Sequence, residues 1–122
     1  MRKKKVIIVD DEKSYREGLQ DFLLREADVK TFESPDEFAE CFTKPEDLYD
    51  IYLIVLDFRF DTYNAFDKDL VTYIRDDLKY KGRVVLWSLE DEVPREFYRR
   101  LNAVLPKKIF SLSEVEQCIN LR

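Results

Sequence analysis

Three apolar runs in this chain are continuous. Val6–Val9 reads VIIV, Ile51–Asp57 reads IYLIVLD and Arg83–Ser88 reads RVVLWS. A strand with one wet face alternates apolar and polar residues. A continuous β-branched run instead fits a strand covered on both faces, as in a parallel sheet. Parallel neighbours cannot be joined by a tight turn and need a crossover, usually a helix. Two shorter runs, VKTF at Val29–Phe32 and AVLPK at Ala103–Lys107, add further strand candidates.

The segments between these runs carry helical spacing. Tyr15, Leu19, Phe22 and Leu23 fall at i, i+4, i+7 and i+8 and form one apolar stripe. Ser34 is a good N-cap, with Pro35 at the first helical position and Glu37 completing a capping box, so that Phe38 and Phe42 face the core. Leu70, Ile74 and Leu78 stripe a third helix that ends before Gly82. Pro94 opens a fourth, with Phe97 and Leu101 inward, and Ser111 with Glu114 caps a fifth, with Val115 and Ile119 buried. Five strands alternating with five helices predict a doubly wound α/β sheet.

Composition bounds what such a sheet can do. The 122 residues suit one domain, residues 1–122, and the 45% hydrophobic content, with nine Phe and seven Tyr, is enough for a core. A net charge of −5 argues against nucleic-acid binding by the domain, and the basic run Arg2–Lys5 reads as an exposed strand start. The chain has no histidine, which removes Ser–His and Cys–His nucleophilic sites and imidazole zinc sites. Cys41 and Cys118 lack metal spacing and read as reduced, half-buried thiols. Val6–Val9 is too short for a signal-peptide core or a membrane span, so the expectation is a soluble, cytoplasmic chain.

In open α/β sheets, ligands bind outside the carboxyl ends of the strands, where the strand order reverses. The first strand ends at Asp10, Asp11 and Glu12, the third at Asp57, the fourth at Ser88 and the fifth near Lys107 and Lys108. Alone, the acidic triplet reads as the first turn of a helix, favoured by the helix dipole. With Asp57 at the neighbouring strand end, it reads as an oxygen-rich site for a hard cation such as Mg²⁺, which offsets the mutual repulsion. Asp57 is then placed as a nucleophile toward phosphorus. Ser88 and a lysine are placed to bind phosphoryl oxygens.

The pieces VIIVDDE, LIVLD, VVLWS and KKIFSLSEV, in this order and spacing, resemble a response-regulator receiver domain of two-component signalling over essentially the whole chain. The resemblance implies a flavodoxin-like five-stranded parallel sheet in the order 2-1-3-4-5. It implies that Asp57 is the phosphoacceptor, that Asp11 binds Mg²⁺ directly and Asp10 through water, and that the main-chain carbonyl of Arg59 completes the protein ligands. Ser88 matches the family's hydroxyl residue. Lys108 is the better match for the family's lysine, with Lys107 the alternative. The implied partners are a histidine kinase or phosphotransfer protein, together with a homodimer through the last-strand side, and the expectation is a single receiver domain with no output domain in this chain.

Four positions depart from the family pattern. Ile109 stands where a cis proline usually follows the lysine, and a cis bond before Ile would cost roughly 2.5–4 kcal/mol. The loop FRFDTYNAFDKD after Asp57 lacks the usual Pro and Gly and puts Arg59 beside the site. Leu89 replaces a small residue, and Leu105 replaces the aromatic residue of the fifth strand. The expectation is a signalling domain that catalyses only its own phosphotransfer and dephosphorylation. The alternative is a degenerate receiver acting as a phosphorylation-independent interaction module. A phosphatase with an Asp nucleophile ranks last, because Arg59 occupies the place of its second acid.

Overall fold

A computed structural model describes residues 3–57, 70–88, 99–106 and 111–120. The elements run β1 (Lys4–Val9), α1 (Lys13–Leu23), β2 (Ala27–Phe32), α2 (Pro35–Cys41), a 3₁₀ turn (Pro45–Leu48) and β3 (Ile51–Leu56). They continue with α3 (Leu70–Thr72), a π turn (Tyr73–Asp77), β4 (Arg83–Ser88), β5 (Ala103–Pro106) and α4 (Ser111–Asn120). The five strands pair in parallel in the order β2-β1-β3-β4-β5. The doubly wound sheet and its strand order are therefore as expected. Four of the five predicted helices lie among the described residues. Most of the one opening at Pro94, including Phe97, lies outside them.

Continuous apolar strands make sense here because both faces are covered. Ile7, Val9, Ile54, Leu56, Val84 and Leu86 point to one side and pack with Phe38, Phe42, Leu70 and Ile74 of the α2 and α3 layer. Val6, Ile8, Leu53, Val55, Val85 and Trp87 point to the other and pack with Leu19, Leu23 and Val115 of α1 and α4. Period-two alternation along each strand thus builds two cores from one run. Leu101 packs against the first core.

Three expectations need correction. Phe22 is 38% exposed, whereas Arg16 is buried with Leu19 and Leu23. At about 100° per residue, positions 16, 19 and 23 lie within about 60° of one another, and Phe22 falls outside that arc. The buried face of α1 is therefore rotated toward Arg16. Cys41, taken as half-buried, is exposed at the C-terminal residue of α2, and the Cys118 side chain lies outside the described residues. In the capping box, the Glu37 amide donates to Ser34 Oγ at 3.2 Å as expected. The Glu37 carboxylate, however, accepts from the Glu33 amide at 3.4 Å instead of the cap's own amide.

At the opposite end of the sheet from the strands' carboxyl ends, Arg75 donates to the carbonyls of Tyr80, Gly82 and Arg100 at 2.8 Å each. The buried Tyr80 phenol donates to the Ile51 carbonyl at 3.0 Å. Burial pushes that phenol well above its ordinary range. A Cβ on Gly82 would come within 2.3 Å of the Tyr80 hydroxyl oxygen. Gly82→Ala is expected to destabilise the fold by about 1–3 kcal/mol through overpacking. Urea unfolding measures this, and the cost should shrink when Gly82→Ala is made in a Tyr80→Leu background.

Candidate metal centre

Strand register builds this site. In the β1–β3 pair, Val9 lies opposite Leu56, so the next residue on each strand, Asp10 and Asp57, emerges at the same level of the sheet. Two main-chain bonds pin them there. The Asp57 amide donates to the Val9 carbonyl at 2.8 Å, and the Asp10 amide donates to the Phe32 carbonyl of β2 at 3.0 Å. The last residues of β2, β1 and β3 thus form one rim from which the chain turns toward α1.

That turn is stabilised locally. Asp10 Oδ1 accepts the Glu12 amide at 2.9 Å, and the Arg16 amide donates to the Glu12 carbonyl at 3.0 Å, opening α1. Glu12 occupies the N-cap position but makes no capping bond with its side chain, and the first turn of α1 contains no acid. The acidic triplet is therefore not simply a capped helix start. Asp10 is only 2% exposed, and Asp11, one residue on, is open to solvent.

The three aspartates converge. One carboxylate oxygen from each of Asp10, Asp11 and Asp57 lies within 4.8 Å of the other two. Such a set suits a divalent hard cation, because carboxylate oxygens are its preferred donors and a shared ion removes their repulsion. Oδ2 of Asp57 is buried and accepts no hydrogen bond among the described residues, although Asp57 has other interactions. The donor chemistry, number and spacing fit Mg²⁺. Asp10, Asp11 and Asp57 would hold it, and the ion would supply charge neutralisation at the carboxylate cluster.

Other predicted site residues are only partly visible. Ser88 closes β4 and pairs with Pro106 of β5 in the strand next to β3, but its side chain lies outside the described residues. Arg59, Leu89, Lys107, Lys108 and Ile109 also lie outside them. Leu105 is half-buried and packs, on the α1 and α4 side, against the apolar cluster that contains Trp87.

One residue near the site was missed by sequence reasoning. Arg16, 7% exposed, donates from Nη1 to the Asp10 carbonyl at 2.8 Å and from Nη2 to Glu33 Oε1 at 3.4 Å. A signal existed: Arg16 stands three residues before Leu19 and seven before Leu23, the spacing of one helix face, beside the edge of the expected apolar stripe.

Comparison with known proteins agrees with the architecture. The receiver domain of HemR from Leptospira biflexa, solved non-phosphorylated, superposes with a TM-score of 0.78 at 20% identity, covering 98% of this chain and 97% of that one. A receiver domain protein from Clostridium thermocellum gives 0.74 at 18% identity, covering 95% and 90%. The response regulator TrrA from Thermotoga maritima, solved in complex with Mg²⁺–BeF, gives 0.72 at 19%, covering 94% and 98%. The fold is that of response-regulator receiver domains. No family model matches the sequence, and a search of the curated proteins finds no match. The three receivers are therefore similar in backbone and far apart in sequence, with the likeness running through the whole chain. Among the described residues, no helix is long and apolar enough to cross a membrane.

Three carboxylates this close repel one another in the absence of a cation. At separations near 4 Å, a like-charged pair costs about 1 kcal/mol in water and more where solvent is excluded. Asp11→Asn is expected to stabilise the chelator-treated protein by about 1 kcal/mol in urea unfolding. A loss of stability would mean that the cluster is already compensated.

Proposed function

We propose that this chain is a phosphoacceptor receiver of a two-component phosphorelay. The observation that carries the reading is the convergence of Asp10, Asp11 and Asp57 at the carboxyl rim of β1 and β3 in a receiver fold. Asp57 is the acceptor. A carboxylate oxygen of Asp57 forms the new bond to phosphorus as the bond between phosphorus and the donor's leaving group breaks, giving an acyl phosphate on Asp57 and the released leaving group. Since these 122 residues hold no histidine, the phosphohistidine donor lies outside them, on a histidine kinase or a phosphotransfer protein. The setting that suits such a relay is the cytoplasm.

The residues act by position and charge. Asp11 and Asp57 would hold Mg²⁺ directly and Asp10 through water, and the main-chain carbonyl of Arg59 would complete the protein ligands. Mg²⁺ lets an anionic phosphoryl group approach an acidic site. Ser88 binds one phosphoryl oxygen and Lys108, or its neighbour Lys107, pairs with another. The neighbour TrrA, a response regulator solved with Mg²⁺–BeF, supports the assignment of the ion. Phosphorylation then shifts a two-state surface that a partner reads, with the chain acting as a signalling domain. Leu105 changes how that shift is read, since it takes the place of the family's aromatic residue.

Intact mass after incubation with Mg²⁺ and acetyl phosphate tests the reading. One added phosphoryl group is expected in the parent chain and none in Asp57→Asn or in the presence of chelator. A parent chain that gains nothing from acetyl phosphate or from kinase donors would instead be a phosphorylation-independent interaction module.

A further inference from the structure

Asp10 and Arg16 are the two charged residues buried among the described part of the chain, and they touch. A buried guanidinium costs several kcal/mol unless its hydrogen bonds are met. Here its tightest bond, at 2.8 Å, goes to the main-chain carbonyl of Asp10. Its second partner, Glu33, is reached at 3.4 Å with a side chain that is 71% exposed. The strong anchor is therefore the Asp10 peptide, with Glu33 holding the outer edge of the guanidinium.

Asp10 is fixed at three points. Its amide is tied to β2 through Phe32, its carbonyl to α1 through Arg16, and its Oδ1 to the Glu12 amide. With its amide, carbonyl and one carboxylate oxygen all bonded, Asp10 has little freedom to turn away from Asp57. Arg16 reaches Asp10 through the carbonyl, which leaves the carboxylates as oxygen donors. Glu33 directly follows β2 and precedes Ser34, the N-cap of α2. One side chain therefore links α1, the β1–α1 turn and the β2–α2 junction.

We propose that Arg16 is a positioning residue for the divalent-cation site: it holds the Asp10 peptide so that Asp10 and Asp11 present oxygen alongside Asp57, and Glu33 holds Arg16 in place. This rests on the metal reading of the carboxylate cluster given above. Residues that orient metal ligands are typically worth 10–100-fold in affinity. A pure charge effect has the opposite sign, because removing a nearby cation would draw Mg²⁺ in more tightly.

The test is Mg²⁺ titration of the full chain by calorimetry, with thermal unfolding in chelator measured alongside. Arg16→Met is expected to weaken Mg²⁺ binding about tenfold or more. Arg16→Lys should recover part of the loss, because an ammonium reaches one acceptor but cannot fork to two. Glu33→Gln, at an exposed position, should weaken binding about two- to threefold with little change in thermal stability, and it decides the matter if the Arg16 variants do not fold. Unchanged or tighter binding in the folded variants, with the parent binding Mg²⁺, overturns the role of Arg16 alone. A parent chain that binds no Mg²⁺ overturns the metal reading and the role of Arg16 together.

Discussion

The pairing of β1 with β3 at the centre of the sheet is the constraint on which the site depends. With Val9 opposite Leu56, the strands end level, and the next residues are two aspartates. Slipping the register by one residue would send each side chain to the other face, exchanging the two cores and separating the acids. Both faces are closely covered, so such a slip would disrupt two packed layers at once. The position of the carboxylates is thus secured by burial of Ile7, Ile8, Ile54 and Val55, none of which touches solvent appreciably.

The site also carries an electrostatic cost that the fold meets locally. Asp10 is removed from water, yet its amide, its carbonyl and one carboxylate oxygen all have partners. Asp11 remains exposed, where water screens its charge. The guanidinium of Arg16 lies behind the turn and is bonded to the backbone. The acidic rim thus presents carboxylate oxygens outward and is supported by a guanidinium from within. At the far end of the sheet, Tyr80, Gly82 and Arg75 form a close-fitting corner whose polar groups satisfy one another. That corner serves packing, and it lies at the far end of the sheet from the acidic rim on which the proposed function rests.

Much of this was legible in the sequence because each signal had one physical cause. VIIV, LIVL and RVVLW are continuous because both faces are buried, and this set the parallel sheet. Ser34 and Pro35 marked the start of α2 through the bonds they make and omit. Asp10, Asp11 and Asp57 were found because strand ends in such sheets carry ligands. Arg16 was not found: a charged residue at the edge of an apolar stripe reads as solvated until its acceptors are known, and its acceptors are the Asp10 carbonyl and the remote Glu33. Phe22 was misplaced for the related reason that the buried arc of α1 runs from Leu19 through Leu23 to Arg16, a charged residue the pattern did not weigh. The 3₁₀ turn at Pro45–Leu48 and the π turn after α3 were not read from the sequence, although both are closed by local bonds: Asp47 Oδ2 accepts the Thr43 and Lys44 amides at 2.9 and 3.1 Å, and the Leu78 amide donates to the Tyr73 carbonyl at 2.9 Å.

Trp87 gives the fold a property unrelated to its own stability. It is the single tryptophan of the chain, 3% exposed, one residue before the end of β4 and edge-on to Tyr15 of α1 at 5.7 Å between ring centres. Leu105 and Leu112, from the strand and helix that follow, belong to the same apolar cluster. The indole therefore sits where the rim of the sheet, the first helix and the last helix meet. Its emission reports on that junction without a competing fluorophore of the same kind, so the chain carries a built-in optical gauge of the packing beneath its acidic rim.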